Sequence, residues 1–175
     1  MNSYAYDQLR GSVKAGQLVF FKATKWNQKL ITLITGGKYS HCGMAVWLTD
    51  GVSSRLMLIE ATNGGRRIIS LSHYADRSFE VIDVKLNYPD IAEEVLEHTG
   101  LPYSYIDFIK IGIRDIMLRF GIKTHLPNSV GEVCSEFLSN TVQKAGIKVS
   151  DALISPSALY KEMKALGTVI AAYKP

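Results

Sequence analysis

The sequence has little cysteine: Cys42 and Cys134 are the only two in 175 residues. Two cysteines allow one bridge at most and cannot form a disulfide framework. Together with the four histidines they show no C-x-x-C and no H-x-x-x-H spacing, which argues against a structural zinc site. No apolar run is long enough to span a bilayer. The greasiest stretch, Tyr105 to Ile122, is broken by Asp107, Lys110, Arg114, Asp115 and Arg119. The first ten residues are polar and lack the apolar core of a signal peptide, so the expectation is a chain made and folded in the cytoplasm. Export by another route, or packaging in a particle, stays open. No block of lysine and arginine marks a nucleic-acid surface. The net charge of +4 and pI near 9.0 come from scattered residues, so acidic partners are allowed but none is selected.

What is present suits a single domain over residues 1–175. Charged residues are 21% of the chain, too close to the globular norm for extensive disorder, and 47% are hydrophobic, enough for a sizeable core. Neither a repeat nor a low-complexity tract interrupts it. Gln17 to Lys22 reads as a strand. Trp26 to Thr35 has helical spacing of Trp26, Leu30, Leu33 and Ile34, and Gly36–Gly37 ends it. His41 to Leu48 alternates, with Cys42, Met44, Val46 and Leu48 on one face and His41, Gly43, Ala45 and Trp47 on the other. Leu56 to Thr62 is a second strand with Glu60 on the face of Leu56 and Leu58. A glycine turn at Gly64–Gly65 leads to a third strand over Arg66 to Ser70, and Ser78 to Val84 is a fourth.

The second half is helical: Tyr88 to Thr99, Tyr105 to Phe120, Val133 to Ala145 with Gly146 at its end, and Pro156 to Ala165. A last strand covers Thr168 to Ala172. In the Tyr105 helix Asp107, Lys110 and Arg114 form the polar stripe, and Phe108, Ile109, Ile111, Ile113 and Leu118 read as core. Lys123 to Gly131 reads as a lid or a connector. Strands early and helices late indicate an α+β domain.

Cys134 falls in the first turn of its helix. Free backbone N–H groups and the helix dipole there stabilise a thiolate and can hold a developing oxyanion. Glu132 and Glu136 oppose this locally, so a neighbouring cation has to contribute more. His41 is the candidate: the small residues Gly43 and Ala45 on its face leave room for another element to approach the imidazole, and a helix start carrying a thiol could fit there. Glu60 is the one acid in a strand of Leu, Met and Ile. If the two strands pair, it accepts the second ring N–H of His41 and orients the imidazole. Each residue also has a quieter reading: a packed thiol, a strand-end histidine with an ordinary hydrogen bond, and an edge glutamate in water. His73, His98 and His125 lie in polar stretches and are less informative.

The ordered set of motifs resembles the permuted, YiiX/YebB-like branch of the NlpC/P60 superfamily of papain-like enzymes, which places the histidine on an early strand and the cysteine late, opening a helix. "AGQLVFFK" resembles the opening strand, "YSHCGMAVW" the histidine strand with His41, and "LIEAT" the acidic strand with Glu60. "TGLPYSYIDF" resembles the Gly-x-Pro-Tyr segment with Tyr103 and, nearby, Tyr105. "VCSEFLSNTVQKAGI" resembles the Cys-Ser-Glu helix with Cys134, and "ISPSALY" the helix that follows. The set spans roughly 150 residues and gains force from its order.

The resemblance implies a circularly permuted papain-like fold, an antiparallel sheet packed on helices, and thiol-based acyl transfer without a cofactor. Cys134, His41 and Glu60 would be catalytic, and Tyr103 and Tyr105 would hold the oxyanion or substrate. The implied substrate is a peptide, a peptidoglycan fragment or another acyl compound. A cysteine peptidase or amidase is the leading expectation. A lipid hydrolase or acyltransferase on the same site is the alternative, and a catalytically silent binding module a further one.

Overall fold

The strand that carries His41 lies inside a sheet, with a neighbour on each side. In the computed structural model, residues 3–24, 26–62, 64–97, 109–111, 113, 116–117, 120–122, 133–151 and 154–175 are described. The elements among them are α1 (Ser3–Ser12), β1 (Leu18–Lys22), α2 (Trp26–Thr35), β2 (Tyr39–Thr49), β3 (Ser54–Thr62), β4 (Gly65–Ser70), β5 (Phe79–Asp83), α3 (Tyr88–Glu97), α4 (Cys134–Lys144), α5 (Pro156–Leu166) and β6 (Thr168–Tyr173), with a 3-10 turn over Leu71–Tyr74. The strands form one six-stranded sheet in the order β4-β3-β2-β1-β5-β6. All five neighbouring pairs are antiparallel. The architecture is mixed α+β.

Period-two alternation separates two cores across this sheet. Leu18, Phe20, Cys42, Met44, Val46, Ile59 and Ile82 face α3, α4 and α5, which contribute Ile91, Val95, Phe137, Leu138, Val142, Leu159 and Met163. Val19, Phe21, Ala45, Leu56, Leu58 and Val81 face the other way, against Leu9 at the end of α1, Val13, Leu71 and Tyr74. The face assignment read from the sequence of β2 and β3 therefore holds. The α1 helix was not legible: its packing residues Tyr6 and Leu9 are too few to mark an apolar stripe.

Two close contacts fix the strand before and around His41. Ser157 of α5 accepts a hydrogen bond from the Tyr39 N–H at 2.9 Å, and its hydroxyl donates to the Tyr39 carbonyl at 2.9 Å. Gly37 makes this possible, because a Cβ there would sit 2.0 Å from the Ser157 side chain. At Gly43 a Cβ would meet the Ile59 carbonyl oxygen at 2.6 Å and the Leu58 side chain at 2.9 Å. The room beside His41 that the small residues provide is thus taken up by β3, not by the cysteine helix as the sequence suggested.

The apolar helix before the cysteine segment departs from its expected packing. Residues 109–111, 113, 116 and 117 are helical. Ile111 is buried, but Ile109, Ile113, Ile116 and Phe120 are exposed. These four fall at helical spacing on a face away from Ile111, which periodicity alone could not orient. Phe108, Leu118 and the Lys123–Gly131 segment lie outside the described residues.

Gly43→Ala should destabilise the protein by about 1–3 kcal/mol, the cost of forcing a methyl into packed backbone. Urea denaturation of the variant against the parent measures it, and an unchanged midpoint would contradict the close approach of β2 and β3.

Candidate active site

Strand direction decides what meets at one end of the sheet. The last residues of β1 and β3 and the first residues of β2 and β5 lie together, because each neighbouring pair is antiparallel. Phe21 pairs with His41 across β1 and β2 and with Phe79 across β1 and β5. Glu60 follows Ile59, which pairs with Met44 of β2. The α4 helix packs on β2 and β3 with Cys134 as its first residue.

Glu60 is fully buried, with no exposed surface. Such a carboxylate needs hydrogen-bond donors on both oxygens. His41 Nε2 donates to Oε2 at 2.5 Å. Tyr74 lies 2.7 Å from Oε1 and 2.8 Å from Oε2 through its hydroxyl. Arg67 donates to Oε1 from Nε at 2.9 Å, and its Nη2 lies 2.8 Å from the same oxygen in an ion pair. Burial alone would raise the Glu60 pKa, but His41, Tyr74 and Arg67 together hold it below the usual carboxylate range.

Sequence reading missed two of these partners. Arg67 is the cross-strand partner of Glu60 in the β3–β4 hairpin, whose two-residue loop is closed by Thr62 opposite Gly65. The Asn63-Gly64 sequence is the signal that sets this register. Tyr74 arrives from the 3-10 turn, which has no comparable signal. Its hydroxyl pKa is raised, by burial first and then by the Glu60 charge.

With Nε2 committed to Glu60, the His41 ring also feels the Cys134 side chain. Burial would lower the imidazole pKa, but the hydrogen-bonded Cys134 thiolate and Glu60 outweigh it, and His41 is raised to about 9. Cys134 moves the opposite way, well below an ordinary thiol. A hydrogen bond from the Cys42 thiol holds it down, and the His41 cation adds to this against the effect of burial. Cys42 is itself pushed up, by burial and by the adjacent Cys134 charge. Opposite shifts on two hydrogen-bonded groups describe a thiolate–imidazolium pair. Both cysteines are free thiols.

Cys42 is the other residue that sequence reading passed over, having been taken as a buried apolar side chain. Alternation put it on the core face, and that is where α4 lands. The carboxylate of Glu136 turns back to the Val133 N–H at 3.4 Å, at the N-terminal boundary of α4. Tyr103, Tyr105, Glu132, His98 and His125 lie outside the described residues, and His73 is exposed in the 3-10 turn.

The chemistry follows from this geometry. A thiol stands at a helix N-terminus with its backbone N–H groups, an imidazole beside it carries a charge of opposite sign, and a buried carboxylate orients that imidazole, an arrangement that could serve a nucleophile and its base. Glu60→Gln removes one of the two negative charges that raise His41, the other and larger contribution being Cys134. The pH at which His41 loses its proton should fall from about 9 by on the order of one unit. Cys134 alkylation measured against pH reads this as a shift of the upper limb toward neutrality, and an unmoved limb would detach Glu60 from His41.

No family model matches the chain, and no curated protein matches it in sequence. Among solved structures it is similar to the crystal structure of metalloprotein yiiX from Escherichia coli O157:H7, with a TM-score of 0.66 and 19% identity over 94% of this chain and 99% of that one. At that identity the likeness concerns the fold. Among the described residues no group of three or more His, Cys, Asp or Glu side chains is placed to hold a metal ion. No helix among them is long and apolar enough to cross a membrane.

Proposed function

We propose that the protein is a cysteine hydrolase of the permuted NlpC/P60, papain-like type, cleaving an amide or peptide bond through a thioester. The observation that carries this reading is the fully buried Glu60 hydrogen-bonded to His41 Nε2 at 2.5 Å, at the end of the sheet where Cys134 opens α4, with the thiol held down and the imidazole up by their mutual charges. A packed thiol beside a quiet histidine would have no reason for that pair of shifts. The order of the site residues along the chain, histidine strand first and cysteine helix last, fits the permuted arrangement.

The steps need only protein groups and water. Cys134 enters as the thiolate and attacks the substrate carbonyl carbon. The oxygen gains negative charge and is held by backbone N–H groups at the start of α4. His41, already protonated, gives its proton to the leaving amine as the C–N bond breaks. Neutral His41 then takes a proton from water, the hydroxide adds to the thioester, and the acid departs as Cys134 returns to thiolate. Glu60 stabilises the imidazolium and keeps Nε2 committed.

A lipid acyl substrate is the second reading. It is favoured by the exposed apolar side chains Trp26, Ile109, Ile113, Ile116 and Phe120. Co-sedimentation with vesicles separates the two: no association with neutral or anionic bilayers counts against the lipid enzyme.

Cys134→Ser should abolish turnover, and His41→Ala should lower it on the order of 10²–10⁴-fold, the range for loss of a general base. Circular dichroism checks that both variants fold. A direct test is iodoacetamide at about pH 5.5, where a free thiol is almost wholly protonated and inert. Cys134 should alkylate there, and His41→Ala should slow it. A Cys134 that reacts no faster than glutathione at that pH would overturn the assignment.

A further inference from the structure

The α2 helix is packed with its polar side inward. One face carries Trp26, Lys29 and Leu33, and all three are exposed, Trp26 by 79% and Leu33 by 70%. The opposite face carries Gln28, Thr32 and Thr35. Thr32 is buried, and the other two are partly buried. A surface helix ordinarily turns its apolar stripe to the core and its polar residues to water. In α2 the stripe that includes Trp26 and Leu33 points outward instead.

Hydrogen bonds hold α2 in this pose. Gln28 Oε1 accepts from the Thr24 N–H at 3.1 Å and from Arg77 Nη2 at 3.5 Å. The Thr32 hydroxyl donates to the Lys29 carbonyl at 2.9 Å, and the Thr32 carbonyl accepts from the Gly37 N–H at 3.0 Å. The base of the excursion is closed where the Ala23 N–H donates to the Lys38 carbonyl at 3.1 Å. Gly37 is packed against Ser157 of α5. Rolling the apolar face inward would break these contacts, so its outward direction is built into the fold.

The charge of this part of the chain is one-sided. Between Asp7 and Asp50 there is no acid, but there are six basic residues: Arg10, Lys14, Lys22, Lys25, Lys29 and Lys38. Lys22 pairs with Glu80 at 3.0 Å. Lys29 and Lys38 are exposed and form no ion pair among the described residues.

We propose that α2 is a docking surface for an anionic lipid bilayer. Trp26 and Leu33 enter the boundary between headgroups and acyl chains, where an indole is well accommodated. Lys29 on the same face and Lys38 just beyond the helix meet the lipid phosphates. A nucleic acid would answer the lysines but would leave Leu33 in water. A second copy would cover the apolar side chains but set lysine against lysine across a two-fold axis. The bilayer answers both features. Because α2 joins the end of β1 to the start of β2, the docked face lies at the end of the sheet that carries His41. The inference does not depend on the chemistry of Cys134, and docking does not make the lipid a substrate.

Vesicles of phosphatidylcholine, alone or mixed with phosphatidylglycerol, test it. The parent should co-sediment with the mixed vesicles and stay in solution with phosphatidylcholine alone. Trp26→Ser with Leu33→Ser should weaken binding by about tenfold or more, the scale of two apolar side chains leaving the interface. Lys29→Gln with Lys38→Gln should weaken it by about fivefold per lysine. Both variants change exposed side chains, so without vesicles their melting curves and iodoacetamide rates should match the parent. In a Trp47→Phe protein Trp26 is the single indole, and its emission should move to shorter wavelength on the mixed vesicles. No binding to mixed vesicles, or undiminished binding by a folded Trp26→Ser, Leu33→Ser variant, overturns the proposal. If that variant does not fold, an unmoved emission in vesicle-bound Trp47→Phe does the same. A dimer in solution that Trp26→Ser with Leu33→Ser dissociates would give the face to a second copy, and duplex DNA binding in place of vesicle binding would give it to a nucleic acid. Either result overturns the proposal. An inert Cys134 would instead sink the hydrolase reading and leave this inference standing.

Discussion

A carboxylate with no exposed surface is the constraint on which this site depends. Glu60 would be protonated or would destabilise the fold if its oxygens were left to the apolar side chains around it. Donors from three separate elements meet it instead: His41 from β2, Arg67 from β4 and Tyr74 from the 3-10 turn. Each donor demands a particular piece of register. A one-residue slip of β4 would turn Arg67 to the other face, and a slip of β2 would do the same to His41. Arg67 reaches in from the surface and brings the compensating charge, so Glu60 stays ionised without relying on His41 alone.

Ionised Glu60 sets the state of the rest. It supports the His41 cation, and the cation in turn supports the Cys134 thiolate. The helix start adds its N–H groups, and Cys42 adds an S–H from the strand beneath. Burial opposes every charge in this series, so each one persists only through its neighbours. That is why the shifts on His41 and Cys134 run in opposite directions and belong to the pair more than to either residue.

The parts of the site set by strand alternation were legible in the sequence. His41 and Glu60 could be placed on one face because period two leaves little freedom once the apolar residues are assigned. Cys134 at a helix start followed from the Gly146 stop and the apolar spacing. Arg67 was within reach, since Asn63-Gly64 implies a two-residue hairpin loop and a residue opposite Glu60. Tyr74 was not, because it comes from a 3-10 turn, where no period acts. The role of Gly43 was misread for a related reason. A small residue reveals that something comes close, but not which element does. The exposed face of the helix around Ile109 shows the same limit, as periodicity gives a stripe without saying which way it points.

His41 and Cys134 come from the first and second halves of the chain, and this separation has a physical consequence. The sheet can bring Glu60, Arg67, Tyr74 and His41 together from residues 41–74 alone, through local hairpins. Cys134 joins only when α4 packs its Phe137, Leu138 and Val142 onto β2 and β3. Before that docking His41 lacks the thiolate that does most to raise it, and Cys134 lacks the S–H, the cation and the closed surroundings that hold it down. The lowered pKa of Cys134 is therefore a property of the docked helix. The same apolar contacts that complete the core also bring Cys134 to the groups that lower its pKa, and a chain with α4 loosened would carry an ordinary thiol.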